Sequence, residues 1–332
     1  MKKKILVTGG AGYIGSHTVV ELYLSGYDPI IVDNLCNTSH QNIIGINQIL
    51  KANIPFHKVD CTDIKEMKKI FSFYKDIHAC IHFAAFKSVS ESIMKPQKYY
   101  KNNILSTEVL LKCLEKNKFK NLIFSSSCAV YGIANTFPVN EKMPFKKAES
   151  PYAETKQKCE ILINKNFCNS VSLRYFNPIG SHDSCLIGDC SKDNASNLLP
   201  IVTEVACGIR DHLIVHGNDY STKDGTCLRD YIHVHDLAIA HVKALNYLLK
   251  NKVKEVFNVG TGQVLSVLDI INRFNKVNNL KLNYVIGPRR AGDVEKIYCD
   301  GDKIKNVLGW SASKTINEAL VSAWKWQISN LN

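Results

Sequence analysis

The chain has 332 residues, 45% of them hydrophobic, and 42 Lys and Arg against 30 Asp and Glu give it a net charge of +12. That is enough apolar material for one large core and a smaller second one, and no apolar run approaches the ~20 residues of a membrane-spanning helix. The lysines are scattered without a basic stripe, which argues for a solvated surface attractive to anionic ligands such as nucleotides, with no nucleic acid and no membrane as partner.

In chain order, residues 4–7 read as a buried strand. The residues before it lack the apolar stretch of a signal peptide, so a cytoplasmic protein is expected. A helix follows over 14–24, then strands at 29–33 and 56–60, a helix over 63–74 and a strand at 79–83. A long helix from about 97 to 115 precedes a strand at 121–125, and a helix at 152–166 leads to a strand at 171–176. Short apolar strands alternating with amphipathic helices imply right-handed crossovers and a parallel sheet covered on both faces. The expected fold class is therefore α/β, a Rossmann-type doubly wound sheet with a smaller C-terminal substrate-binding domain. After Pro178 the alternation weakens. The expected division is 1–177 for the first domain, with a returning segment at about 231–261, and 178–230 plus 262–332 for the second.

The first strand–helix turn carries Gly9, Gly10, Gly12 and Gly15. Glycines there allow a tight turn and let the backbone approach a pyrophosphate at the helix N-terminus. Asp33 ends the second strand, where its carboxylate can accept hydrogen bonds from an adenosine ribose and repel a 2′-phosphate, so NAD is favoured over NADP. Asp60 ends the next strand, where its carboxylate can either meet the adenine side of a dinucleotide or cap the segment that follows.

Tyr152 and Lys156 lie one helical turn apart on one face. Tyrosine at its free pKa of about 10 is a poor base, and a nearby ammonium and a positive nicotinamide both favour the phenolate and lower that pKa. Ser127 stands at the C-terminal end of a strand, where open α/β sheets bind ligands. A strand-end serine, this tyrosine–lysine pair and the glycine turn together point to alcohol–ketone hydride chemistry.

With these residues in place, the chain resembles the UDP-glucose 4-epimerases of the extended short-chain dehydrogenase/reductase family, almost end to end. The stretches that carry the resemblance are 7–17, 33–37, 124–127 with 130–132, 150–152, 173–178, 217–220 and 229–234. The resemblance implies that Tyr152 takes the proton of the 4-hydroxyl, that Lys156 tunes Tyr152 and binds the cofactor ribose, and that Ser127 bridges the 4-oxygen and Tyr152. It implies further NAD contacts at Tyr13, Ile14, Asn34, Asp60, Cys61, Phe83, Lys87, Asn102 and Tyr175. UDP-sugar contacts are implied at Asn177, Asn197, Leu198, Arg229, Arg290 and Asp293, where two arginines can clamp a diphosphate. It also implies a homodimer through the helices that include residues 97–115 and Tyr152.

Two positions depart from the family pattern. His216 stands where Phe commonly packs against uracil, and an imidazole can also stack. Ile297, intermediate in bulk, falls where residue size gates entry of an N-acetylated sugar. A 4,6-dehydratase of the same superfamily needs an acid/base pair after the strand-end hydroxyl, and here Cys128 and Ala129 follow Ser127. A silent NAD-sensing regulator is disfavoured because Tyr152 and Lys156 are both kept. His233 and His235 would lie on one face of a strand as a metal pair might, but no third ligand has useful spacing. The 12 cysteines are spread without a CxxC, which fits reduced thiols and neither zinc nor a disulfide framework.

Overall fold

A computed structural model describes residues 2–167, 169–191, 195 and 197–331. Strand and helix alternate from the start: β1 (Lys4–Thr8), α1 (Tyr13–Leu24), β2 (Asp28–Asp33), α2 (Gln41–Leu50), β3 (Phe56–Lys58), α3 (Ile64–Phe73) and β4 (Ile77–His82). Next come α4 (Val89–Met94), α5 (Pro96–Tyr99), a π-helical turn (Tyr100–Ile104), α6 (Leu105–Lys116), β5 (Leu122–Ser127), α7 (Pro151–Asn166) and β6 (Ser170–Tyr175). The remainder comprises β7 (Asn177–Ile179), α8 (Leu198–Ala206), β8 (Leu213–His216), β9 (Leu228–His233), α9 (Val234–Leu248), β10 (Lys254–Val259) and β11 (Val264–Ser266). It ends with α10 (Val267–Asn278), β12 (Tyr284–Gly287), β13 (Lys296–Ile297), α11 (Asp302–Leu308) and α12 (Ile316–Ser329).

Seven strands form one sheet in the order β10-β6-β5-β4-β1-β2-β3, and every pairing in it is parallel. This is the Rossmann-type α/β architecture expected from the alternation. The two-residue period of the strands divides the core: Ile5, Val7 and Ile31 pack under α1 and α9, while Leu6, Ile30 and Val32 pack under α3 and α6. In the second half, β7, β9, β11 and β13 make a smaller mixed sheet and β8 pairs with β12. Its own apolar cluster joins α8, α10 and α12.

Three local expectations shift. The helix expected over 97–115 is interrupted by the π turn at Tyr100–Ile104. There the buried Asn103 leaves the helical pattern to bond both backbone groups of Phe86, accepting from its N–H at 2.8 Å and donating to its carbonyl at 3.1 Å. π turns of this kind often sit at functional sites. The strand expected over 56–60 stops at Lys58, because the Asp60 carboxylate turns the chain by accepting from Thr62 N–H at 2.8 Å. His233 and His235 do not share a strand face. His233 ends β9 and caps α9, its Nδ1 accepting from the His235 N–H at 3.1 Å.

Candidate active site

A cavity of about 480 Å³ lies beyond the carboxyl ends of β1, β2, β4, β5 and β6. The sheet order reverses between β1 and β4, the point at which doubly wound sheets bind ligands. Every site residue singled out from the sequence lines this cavity except Gly10. Gly10 packs beneath the turn, where an added Cβ would lie 3.0 Å from the Val7 carbonyl oxygen and 3.1 Å from Ile31.

At one end the glycine turn joins β1 to α1. Gly9 has φ +73°, and a Cβ there would sit 2.6 Å from the Ala84 nitrogen; at Gly15 it would sit 2.2 Å from the Gly9 oxygen. Only glycine allows this approach of the turn to the loop after β4 and of the helix to the turn. Gly12 begins α1 without a side-chain cap, so the first amides of the helix have no side-chain acceptor at that position. Such an N-terminus suits an anion.

The Asp33 carboxylate accepts from Leu35 N–H at 2.9 Å and Ala11 N–H at 3.2 Å. Burial pushes its carboxyl up, and those two amides oppose the push. An ionised carboxylate has acceptor sites left over for ribose hydroxyls. Asn34 donates to Asp60 at 2.9 Å, which ties together the ends of β2 and β3. The Asn37 side-chain oxygen is buried on the cavity wall with no partner among the described residues. A glycine cradle, an uncapped helix start, a strand-end acid and an orphaned acceptor together fit an NAD-type dinucleotide.

Asn102 reaches the cavity from the π turn, Phe83 and Lys87 from the loop after β4, and Cys61 from the turn after β3. Burial pushes the Cys61 thiol well up, which keeps it protonated. The Tyr175 hydroxyl and His241 Nε2 hydrogen-bond at 2.5 Å, fixing the tyrosine against the cavity.

The reacting centre sits where β5 meets α7. Ser150 caps α7 by accepting from Ala153 N–H at 3.2 Å, and Pro151 starts the helix, so Tyr152 lies in the first turn. Lys156, one turn on, donates to the Ser125 carbonyl at 2.6 Å and lies 5.9 Å from the Tyr152 ring centre. Burial pushes the Tyr152 hydroxyl up to about 12, opposed by a hydrogen bond with Ser127. Burial also pushes the Lys156 ammonium down to about 8. The sequence points to a tyrosine lowered by its lysine and a positive nicotinamide together; of these the chain itself supplies only Lys156, and in the protein alone burial sets the direction of the Tyr152 shift.

On the far side, the Asp293 carboxylate takes a two-pronged bond from Arg290, at 2.9 and 3.0 Å, and lies 3.7 Å from the Arg229 guanidinium. The same wall carries Asn177 on β7, Asn197 and Leu198 at the start of α8, His216 at the end of β8 and the buried Ile297 on β13. His216 Nδ1 lies 3.2 Å from the Pro288 carbonyl oxygen. Asn37 and Asp189 also line the cavity, and the sequence reading passed over both. Asn37 belongs to the 33–37 stretch that carries the resemblance, and its polar side chain at the end of that stretch is the signal the sequence holds for it. Asp189 sits in a loop without periodicity or spacing and left no signal. Among the described residues, no group of three or more His, Cys, Asp or Glu is arranged to hold a metal, and every described cysteine is a free thiol.

Comparison with known proteins places this geometry in a family. The family model described as GDP-mannose 4,6 dehydratase matches residues 6–322. A UDP-glucose 4-epimerase of Bacillus subtilis (strain 168) is 43% identical over 333 residues, which is 99% of this chain and 98% of the relative. One from Dictyostelium discoideum is 44% identical over 336 residues, 99% and 97% of the two chains. The crystal structure of UDP-glucose 4-epimerase from Bifidobacterium longum in complex with NAD⁺ and UDP superposes with a TM-score of 0.95 at 40% identity, covering 99% of each chain. The chain belongs to the UDP-glucose 4-epimerase family, within the wider group of extended short-chain dehydrogenases/reductases.

Proposed function

We propose that this protein is an NAD-dependent UDP-glucose 4-epimerase that interconverts UDP-galactose and UDP-glucose, an isomerase of galactose metabolism. The observation that carries the reading is the convergence of Ser127, Tyr152 and Lys156 in one cavity with Asp33 and with the Arg229–Asp293–Arg290 cluster. Full-length relatives of the same activity support it.

NAD, when bound, supplies a centre that accepts a hydride from sugar C4 and gives it back. The glycine turn with Tyr13 and Ile14 would hold its diphosphate, and Asp33 with Asn34 its adenosine ribose. Lys87, Asn102, Phe83, Cys61, Asp60 and Tyr175 would line the rest. Tyr152 Oη takes the proton of the 4-hydroxyl and returns it to the 4-oxygen. Ser127 Oγ bridges the 4-oxygen and the phenol. Lys156 supplies the nearby positive charge that stabilises the phenolate once the positive nicotinamide adds to it. The burial that raises Tyr152 on its own makes that assistance necessary.

Arg229 and Arg290 meet on the shared Asp293 carboxylate in the cavity wall, and two guanidinium groups held side by side suit bidentate recognition of a diphosphate. His216 stacks on the uracil and Ile297 borders the hexose. Because substrate and product differ only at C4, the site accepts the 4-keto sugar with either face toward the reacting centre. The 4,6-dehydratase reading gains nothing from the sequence after Ser127, where Cys128 offers a thiol pushed up to about 12 by burial and no carboxylate follows.

The two-domain division fits this chemistry, with 1–177 and the returning segment holding NAD and the remainder holding the UDP-sugar. A homodimer through α6 and α7 is supported by the exposure of Ile161 on α7, and a cytoplasmic setting by the free thiols of the described cysteines. Among the described residues no helix is long and apolar enough to cross a membrane. The deciding assay is conversion of UDP-galactose to UDP-glucose by purified protein with NAD and no added reductant. Absence of conversion in a folded, NAD-supplemented preparation overturns the reading.

A further inference from the structure

Residues 180–191 leave β7 without forming a helix or strand of their own, yet Gly180, Asp189 and Ser191 line the cavity. A segment of this kind stays seated only if its backbone and side chains are fastened. Several fasteners are present. The Tyr13 hydroxyl donates to the Gly180 carbonyl at 2.5 Å. The Asn42 amide group donates to the carbonyls of Gly188, at 3.1 Å, and of Ala11 in the glycine turn, at 3.0 Å, while its oxygen accepts from Gly188 N–H at 3.2 Å. A Cβ at Gly45 would lie 2.0 Å from the Leu186 oxygen, so α2 and the segment meet backbone to backbone.

The cavity face of the segment adds a charged link. The Lys87 ammonium, from the loop after β4, meets the Asp189 carboxylate at 2.9 Å, and lies 5.7 Å from the Tyr13 ring centre at the start of α1. The other Asp189 oxygen accepts from Ser191, at 2.5 Å from its hydroxyl and 3.3 Å from its N–H. Burial alone would push the Asp189 carboxyl up, but Lys87 and Ser191 outweigh it and hold it down. A lysine on a flexible four-carbon stem gains a fixed direction from such a partner, and two of its three N–H donors stay available.

Resting on the reading of the cavity as an NAD site, we propose that Asp189 is a positioning residue for cofactor retention. It fixes the Lys87 ammonium beside the N-terminus of α1 and, through it, holds residues 180–191 across the cofactor, so that NAD stays with the protein between turnovers. Neither residue exchanges a proton with the sugar in this role.

The test is the exchange of bound NAD against excess labelled NAD in the full-length protein. It uses wild type, Asp189→Asn, Asp189→Glu and Ser191→Ala, with bound NAD counted after acid release. Loss of a charge-assisted bond predicts exchange faster by about tenfold or more in Asp189→Asn. Asp189→Glu should recover much of the slow exchange, Ser191→Ala should be intermediate, and turnover by Asp189→Asn should depend on added NAD. Exchange at the wild-type rate in a folded Asp189→Asn overturns the proposal, as does a fall in melting temperature of the NAD-loaded protein with exchange unchanged. If Asp189→Asn does not fold, unchanged exchange in Ser191→Ala overturns it instead. A wild type that neither carries nor binds NAD removes the reading of the site, a result distinguishable from failure of the latch alone.

Discussion

Glu160 and Arg174 form a two-pronged ion pair, with bonds of 2.7 and 3.0 Å, beneath the strand that ends in Ser127. Both side chains are 6% exposed. Glu160 also accepts from the Ser126 hydroxyl, and Arg174 donates to the Tyr131 hydroxyl at 3.0 Å. Glu160 is one turn beyond Lys156 on α7, so the pair sets α7 against β5 and with it Tyr152 against Ser127. Removing one partner leaves an uncompensated buried charge. Glu160→Gln or Arg174→Met is expected to cost about 3–5 kcal/mol in stability, read as a lower midpoint in urea unfolding. A midpoint within error of the wild type would show that the pair does not hold this junction.

Tyr152→Phe keeps the ring and removes the hydroxyl that exchanges the proton. Turnover of UDP-galactose is expected to fall at least ~100-fold, in the range of general acid–base contributions, with NAD content little changed. Full turnover in that variant would take Tyr152 out of its role.

Four buried histidines predict acid sensitivity. Burial pushes His17 and His82 down to about 3, and His233 and His241 down to about 4, from an ordinary 6.5. In the unfolded chain each takes up a proton near 6.5, so between that pH and 3–4 the unfolded state binds more protons than the folded one. Their contribution to stability is therefore complete above about 6.5 and is lost as pH falls, by up to about 1.4 kcal/mol per pH unit for each histidine. Melting temperature should drop between pH 6.5 and 4.5, and His241→Gln should flatten the drop. A melting temperature that is constant over this range contradicts the assignment of neutral buried imidazoles.

Ile297 is 4% exposed and packs with Val130, Tyr131, Val139, Phe176 and Cys299 beside the cavity. Replacing it by Ala enlarges that corner at a stability cost of about 2–5 kcal/mol. The kcat/KM for UDP-N-acetylglucosamine relative to UDP-glucose should rise in Ile297→Ala and fall in Ile297→Tyr. An unchanged ratio in both would place the sugar's N-acetyl group elsewhere.

What the sequence determined by itself was local. The glycine turn, Asp33 at a strand end and the one-turn spacing of Tyr152 and Lys156 each follow from short-range geometry, because a strand–turn–helix or a single helical turn fixes relative positions within a few residues. The parallel sheet followed from alternation for the same reason. Tertiary structure decided the rest. Lys87 meets Asp189 across 102 positions and Arg229 approaches Asp293 across 64, and no periodicity links such partners. The π turn at Tyr100–Ile104 arises because Asn103 has a backbone to satisfy elsewhere in the fold. The direction of the Tyr152 and Lys156 shifts was set by burial, a property of the assembled core that neighbouring letters cannot specify.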